Sequence, residues 1–410
     1  MASILYLIIT IWSASALVWY ILTRNRGRLK IYPLVLLYES QLLMDMIEGS
    51  GRKRKLLWGK IGAFSDEAMP IFIILSTVYI VANMLAILKG ALIISYDVPL
   101  GSEFIVVVPF VTARPSWGLL IILLSFIPAI LLHEFFHGAV SVSQDIGIKS
   151  AGCFIMLGIV GGYVEPCLEG LWSDNDIRIR DRNLVEGPKK LDNHAPSRGA
   201  RRIRKIMAAG ILANVILAGF FFGALHLMEL SGMFSKYGVE VIEVEQGSAA
   251  DVSGIQVGDI IVRMNRSLIK TLEDFVVFIR RSRPGDTVAV YLLRGANEVV
   301  VYVVLGERNG RAYMGVAVRQ YIKSNIPQIS DRSMFYVYTI LYVNFLVEFL
   351  VAMINSLPCF VLDGAQWLRV VLKEKMGSRG TLLWTLINVV VTAILIMNFI
   401  APVLARYCIK

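Results

Sequence analysis

Apolar residues fall along this chain in long blocks rather than singly. Blocks long enough to cross a bilayer occur at roughly 3–22, 70–95, 117–143, 206–228, 336–357 and 381–404. They predict a polytopic α-helical membrane protein with about six transmembrane helices. Ala14-Ser15-Ala16 in the first block mimics a signal cleavage site. No Lys or Arg opens that block, however, and it stays apolar to Leu22, so a retained anchor is expected.

One apolar stretch is too short to cross and return as helices. It is AGCFIMLGIVGGYVEP, Ala151 to Pro166. Gly158, Gly161 and Gly162 break a helix and favour tight turns. A re-entrant, β-like strand pair is expected, with a short helix on the membrane surface as the alternative. From about 236 to 320 the texture changes again. A β-branched stretch (Val239, Val241, Val244) is followed by a turn at Glu245 to Ser248 and small residues at 249–254. Gly258-Asp259-Ile260-Ile261 leads to Met264-Asn265. Thr271 to Arg280 predicts a short helix, and Thr287 to Leu293 and Val299 to Leu305 predict strands.

Composition agrees with the blocks. Of 410 residues, 56% are hydrophobic and 18% charged, against about a quarter charged in soluble domains. The net charge of +10 does not mark a nucleic-acid binder. Its basic residues cluster beside the apolar blocks, at 23–69 and 173–205, where they orient a protein in the bilayer. Both segments are expected in the cytoplasm. The N-terminus and the 236–320 segment are then outside. Four scattered cysteines show no CxxC pair.

The third block carries the chemistry. Trp117 to Leu132 holds no ionisable side chain, and His133-Glu134-Phe135-Phe136-His137 follows. Ionisable groups inside a span are functional candidates. Histidines four apart share one helix face and can share one zinc ion, with Glu134 placed to take a proton from the attacking water. On the predicted topology His133 and His137 lie in the inner half of the membrane. At the inner end of the fifth block stands NSLPCFVLDG, Asn355 to Gly364. Its Asp363 is a hard oxygen donor that can complete a three-ligand site, aimed inward by Pro358 and Gly364. In the fourth block Gly210 permits close helix approach. Asn214 there is either a packing amide or a group that supports the site. Cys359 reads as a small packed residue, His194 as a solvated loop residue, and His226 as interfacial.

These motifs carry two resemblances. The 233–322 segment resembles a PDZ domain, whose members bind extended peptide ends; a domain that only shields the site is the alternative. HExxH in one span, NxxPxxxLDG in a later one, glycines between them and the PDZ-like insertion together resemble the site-2 protease family. The resemblance runs from about Phe104 to Leu368. Val106-Val107-Val108-Pro109 and the Gly161-to-Glu165 run are closer to its archaeal and eukaryotic branch. It implies an intramembrane zinc metalloprotease with one Zn2+ on His133, His137 and Asp363. Glu134 would then be the general base and Asn355 the holder of the substrate carbonyl or oxyanion. Gly158, Gly161, Gly162 and Asn214 are candidate substrate contacts. The implied partners are single-pass transmembrane substrates, the lipid bilayer and a peptide C-terminus at the PDZ-like domain, with no nucleic acid.

The expected divisions are 1–100 (two spans and a basic loop), 101–232 (first half of the membrane core), 233–322 (PDZ-like) and 323–410 (second half). Two other classes share parts of the pattern. A CAAX-type membrane peptidase has HExxH but lacks the LDG motif and the insertion. A non-catalytic PDZ adaptor has no use for His133, Glu134, His137 and Asp363.

Overall fold

The computed structural model describes residues 13, 29–32, 35–88, 117–156, 159–168, 198–308 and 310–408. The predicted span 3–22 apart from residue 13, the Val106-to-Pro109 run, Gly158 and His194 lie outside them. The chain divides into two compact units. The first draws on 1–84, 122–218 and 347–400, the second on 85–121, 219–346 and 401–410.

The first unit begins with β1 (Leu29–Tyr32), β2 (Val35–Glu39) and α1 (Gln41–Lys53). The long helices α2 (Lys55–Leu88) and α3 (Trp117–Ser143) follow, then the hairpin β3 (Ile148–Met156) and β4 (Ile159–Pro166). Helix α4 (Arg198–Leu230) and, later, α7 (Asp331–Ser356) contribute residues to both units. A short α8 (Asp363–Met376) and α9 (Ser378–Cys408) end the chain. Among the described residues, five helices are long and apolar enough to span a membrane: Lys55–Leu85, Leu120–Ser143, Gly199–Leu230, Asp331–Ser356 and Ser378–Asn398.

Two boundaries differ from the sequence expectation. The second span starts at Lys55 rather than 70, and the fourth begins among the arginines expected in a loop. The reason is a polar cluster that lets both helices continue past their apolar blocks. Arg204 on α4 pairs with Asp66 on α2 (3.1 Å) and Glu374 on α8 (2.7 Å). The indole Nε1 of Trp367, also on α8, donates to Asp66 at 2.7 Å. The cluster ties α8 to both spans.

A four-stranded antiparallel sheet in the order β1-β2-β3-β4 replaces the simple basic loop expected at 23–69. Its inner face packs on α1 and α3 through Ile47, Val142, Ile148 and Ala151. Gly161 and Gly162 are not turn residues, a correction to the expectation. Both lie in extended β4, opposite Phe154 and Cys153. Glycine is used there for close packing: a Cβ on Gly161 would sit 2.2 Å from the Phe154 ring, and one on Gly162 would sit 2.7 Å from Ile130 of α3.

The second unit holds the strand-rich segment. Its sheet runs β12-β5-β6-β8-β9, with β5 (Phe234–Val244), β6 (Ile260–Met264), β8 (Thr287–Arg294), β9 (Asn297–Val304) and β12 (Val316–Ser324). The short strands β7 (Ser267–Leu268), β10 (Gly306–Arg308) and β11 (Arg311–Tyr313) lie off that path. Helices α5 (Ala249–Val252) and α6 (Leu272–Arg281) stand where small residues and the 271–280 pattern predict them. Thr271 and Asp274 form a capping box at the start of α6. The Gly-Asp turn has a plain physical role. Asp259 is buried, accepts from the Gln256 backbone N–H at 2.8 Å, and pairs with Arg294 at 2.8 Å.

Candidate metal centre

His133 and His137 project from one face of α3, with their rings edge to face at 4.7 Å between centroids. The two phenylalanines between them point the other way. Phe136 and Phe135 pack edge-on against Trp58 of α2 at 4.9 and 5.7 Å. That contact turns the histidine face inward, and both rings are buried.

Asp363 arrives from a different element. Helix α7 ends at Ser356, a turn follows, and Asp363 is the first residue of α8. A helix N-terminus favours a carboxylate. The turn is held by α9: the Phe360 backbone N–H donates to Asn388 at 3.1 Å, and Asn388 donates back to the Phe360 carbonyl at 2.9 Å. Gly364 is required because a Cβ there would lie 2.1 Å from the Ser356 carbonyl oxygen. Cys359 is buried against Ile80, Leu357 and Val391, as a packed thiol.

The three side chains meet at one point. His133 Nε2 and His137 Nε2 lie 3.0 and 3.1 Å from Asp363 Oδ2, and 3.1 Å from each other. Their partners decide the tautomers. The Ile206 carbonyl can only accept, so His137 Nδ1 donates to it at 2.6 Å. Asn214 presents its Oδ1 to His133 Nδ1, also at 2.6 Å. Both neutral rings therefore turn an Nε2 lone pair toward a carboxylate oxygen, an arrangement that only a cation or a proton relieves. Zinc fits this donor set: metal–ligand bonds of 2.0–2.1 Å place tetrahedral ligands about 3.3 Å apart, so the triangle need open only slightly. Among the described residues these are the ones that group as metal ligands.

Gly210 of α4 lines the same point. A Cβ on it would lie 2.4 Å from His137 Nε2 and 2.7 Å from His133 Nε2. Glu134 faces β4. Its Cγ would be 3.1 Å from a Cβ on Gly162, and the Val164 backbone N–H is directed at its carboxylate. β4 ends the sheet order, so that N–H belongs to the outer edge of the sheet. Asn355 stands in the last turn of α7, half-buried, and its side chain makes no hydrogen bond with the described residues. Asn214 is fully buried, and its amide is spent on His133, the Ala129 carbonyl and Glu348.

Glu348 is the residue that the motifs do not contain. It lies two turns before Asn355 on α7, is fully buried, and accepts from Asn214 Nδ2 at 2.7 Å. Its signal in the sequence is an ionisable side chain inside the fifth apolar block.

A model of peptidase family M50 matches residues 120–397, which takes in both halves of this centre. The chain belongs to peptidase family M50. It is a site-2-protease-type metallopeptidase. A protein of Methanocaldococcus jannaschii is 26% identical over 355 residues, covering 85% of this chain and 81% of its own. Two proteins that carry the name of a zinc metalloprotease are similar over shorter stretches. One, from Clostridium acetobutylicum, is 26% identical over 38% of this chain and 45% of its own. The other, from Agrobacterium fabrum, is 27% identical over 35% and 37%. The chain thus spans less than half the length of these two. A solved PDZ domain of an SdrC-like protein from Listeria monocytogenes matches 20% of this chain and 87% of its own, at 23% identity and a TM-score of 0.19, too low to carry an inference.

Proposed function

We propose that this M50 peptidase is an intramembrane zinc protease that hydrolyses a peptide bond in the transmembrane segment of a membrane-protein substrate. The observation that carries the reading is the convergence of His133, His137 and Asp363 on one point, with both histidines on a helix long and apolar enough to span a bilayer and Asp363 on the short helix between two more.

One zinc ion would be held by His133, His137 and Asp363. When bound, it supplies a Lewis acid for activating water and polarising a carbonyl. Glu134, on the same helix face as the ligands, takes the proton of the attacking water and passes it to the leaving amine. Asn355 offers a neutral amide to the developing oxyanion, which adds no net charge to the bilayer.

A transmembrane helix hides its carbonyls in its own hydrogen bonds, so it must unwind before attack. The outer edge of β4 is the surface on which the unwound segment is held. Val164 turns its N–H toward Glu134. In an antiparallel strand alternate residues face the same way, so the backbone groups of Val160 and Gly162 are available to a substrate strand beside the base. Gly161 and Gly162 keep that edge close to α3.

By the distribution of basic residues, segments 23–69 and 173–205 are cytoplasmic and segment 236–320 is outside. That segment has the element order of a PDZ domain, which supports capture of a peptide C-terminus by strand addition. The test is a purified, reconstituted enzyme given a single-pass substrate. Mass spectrometry should find new termini inside the apolar segment; cuts confined to the flanking loops would sink the reading.

A further inference from the structure

The buried carboxyl of Glu348 has no place in the chemistry above. It lies on a membrane-spanning helix, fully buried, with Oε2 bonded to Asn214 and Oε1 without a partner among the described residues. A half-satisfied buried carboxyl is costly, and one kept for packing alone is replaced without loss by an apolar side chain.

Its one bond has a directional consequence. The Asn214 amide meets two acceptors, the Ala129 carbonyl at 2.9 Å and Glu348 at 2.7 Å. Both require the NH2 end, so Oδ1 is left for His133. An amide oxygen only accepts, so His133 must carry its proton on Nδ1 and leave Nε2 bare. We propose that Glu348 is a positioning residue: through Asn214 it locks His133 in the tautomer that presents Nε2 to the metal. This rests on the reading of His133, His137 and Asp363 as zinc ligands. Groups behind a metal-bound histidine commonly set affinity by about 10–100-fold.

The test is zinc affinity of the purified full chain, measured by competition with a chelator, with no turnover needed. Glu348→Leu should bind zinc about 10–100-fold more weakly than wild type. Glu348→Gln, which still offers an acceptor oxygen to Asn214, should stay near wild type. In an Asn214→Ala background, Glu348→Leu should cause no further loss. If the Leu variant does not purify folded, Glu348→Ala takes its place with the same loss expected. Wild-type affinity in the Leu variant overturns the proposal, as does a Gln variant as weak as Leu or an additive loss in the double variant. A wild-type protein that binds no zinc overturns the metal reading itself and this proposal with it.

Discussion

Gly210 approaches His137 so closely that a Cβ built on it would lie 2.4 Å from Nε2. The same atom would lie 2.7 Å from Nε2 of His133. The glycine therefore does more than let two helices pack. It keeps open the point at which the ligand lone pairs converge. Gly210→Ala should weaken zinc binding by more than about 10-fold, the scale of loss seen when the surroundings of metal ligands are disturbed. Chelator competition reads this directly. A Gly210→Ala protein with wild-type zinc affinity would show that the convergence point is elsewhere.

The Asp66–Arg204–Glu374 cluster has a second role through its position. Trp367, bonded to Asp66, is one turn after Asp363 on α8. The Arg204 side chain is 13% exposed, and those of Asp66 and Glu374 are 11% and 18% exposed. Removing the shared cation leaves two partly buried carboxylates facing each other, a loss of about 3–5 kcal/mol. Arg204→Met should therefore lower the thermal unfolding temperature markedly and weaken zinc binding. A variant that melts and binds zinc like wild type would mean that α8 is fixed by other contacts.

Much of the candidate site was legible because it obeys local rules. Two histidines at i and i+4 in an apolar run announce a shared face, and Asp363 in a Pro- and Gly-flanked turn announces a donor. Asn214 was legible only as a polar group in a span, because its partners lie on other helices: Glu348 is 134 residues away in sequence. Glu348 carries the same signal as the histidines, but no motif contains it. The sheet was half legible. β3 and β4 follow from the glycine-rich apolar stretch, whereas Lys30 and Pro33 interrupt the pattern of β1 and β2. The glycines of β4 answer to tertiary neighbours, the Phe154 ring and α3, which no local pattern reveals.

Val160→Pro separates the substrate edge from the metal. Proline removes one outward N–H from β4 without touching a metal ligand. Cleavage of a transmembrane substrate should slow by roughly 10-fold or more, the cost of about one or two hydrogen bonds, with zinc content unchanged. Wild-type cleavage would remove strand pairing from the mechanism.

Asp274 gives a pH signature in the strand-rich unit. Burial pushes its carboxyl up. Hydrogen bonds from the Thr271 backbone and hydroxyl side and from the Lys270 backbone outweigh that and hold it below the usual carboxylate range. A carboxyl depressed on folding adds stability above its unfolded pKa of about 3.9 and loses it as pH falls through the folded value. Protection of the α6 amides in hydrogen exchange should thus be flat near neutrality and fall below about pH 4. Asp274→Asn should lower the plateau and flatten the decline; an unchanged acid limb would assign it to another group.

The most direct measurement pairs zinc content with cleavage in wild type and Glu134→Gln, reconstituted with one transmembrane substrate. The account predicts one zinc per chain in both proteins and cleavage by wild type alone. Cleavage by Glu134→Gln at the wild-type rate, or by a wild-type protein shown to be free of zinc, would contradict it.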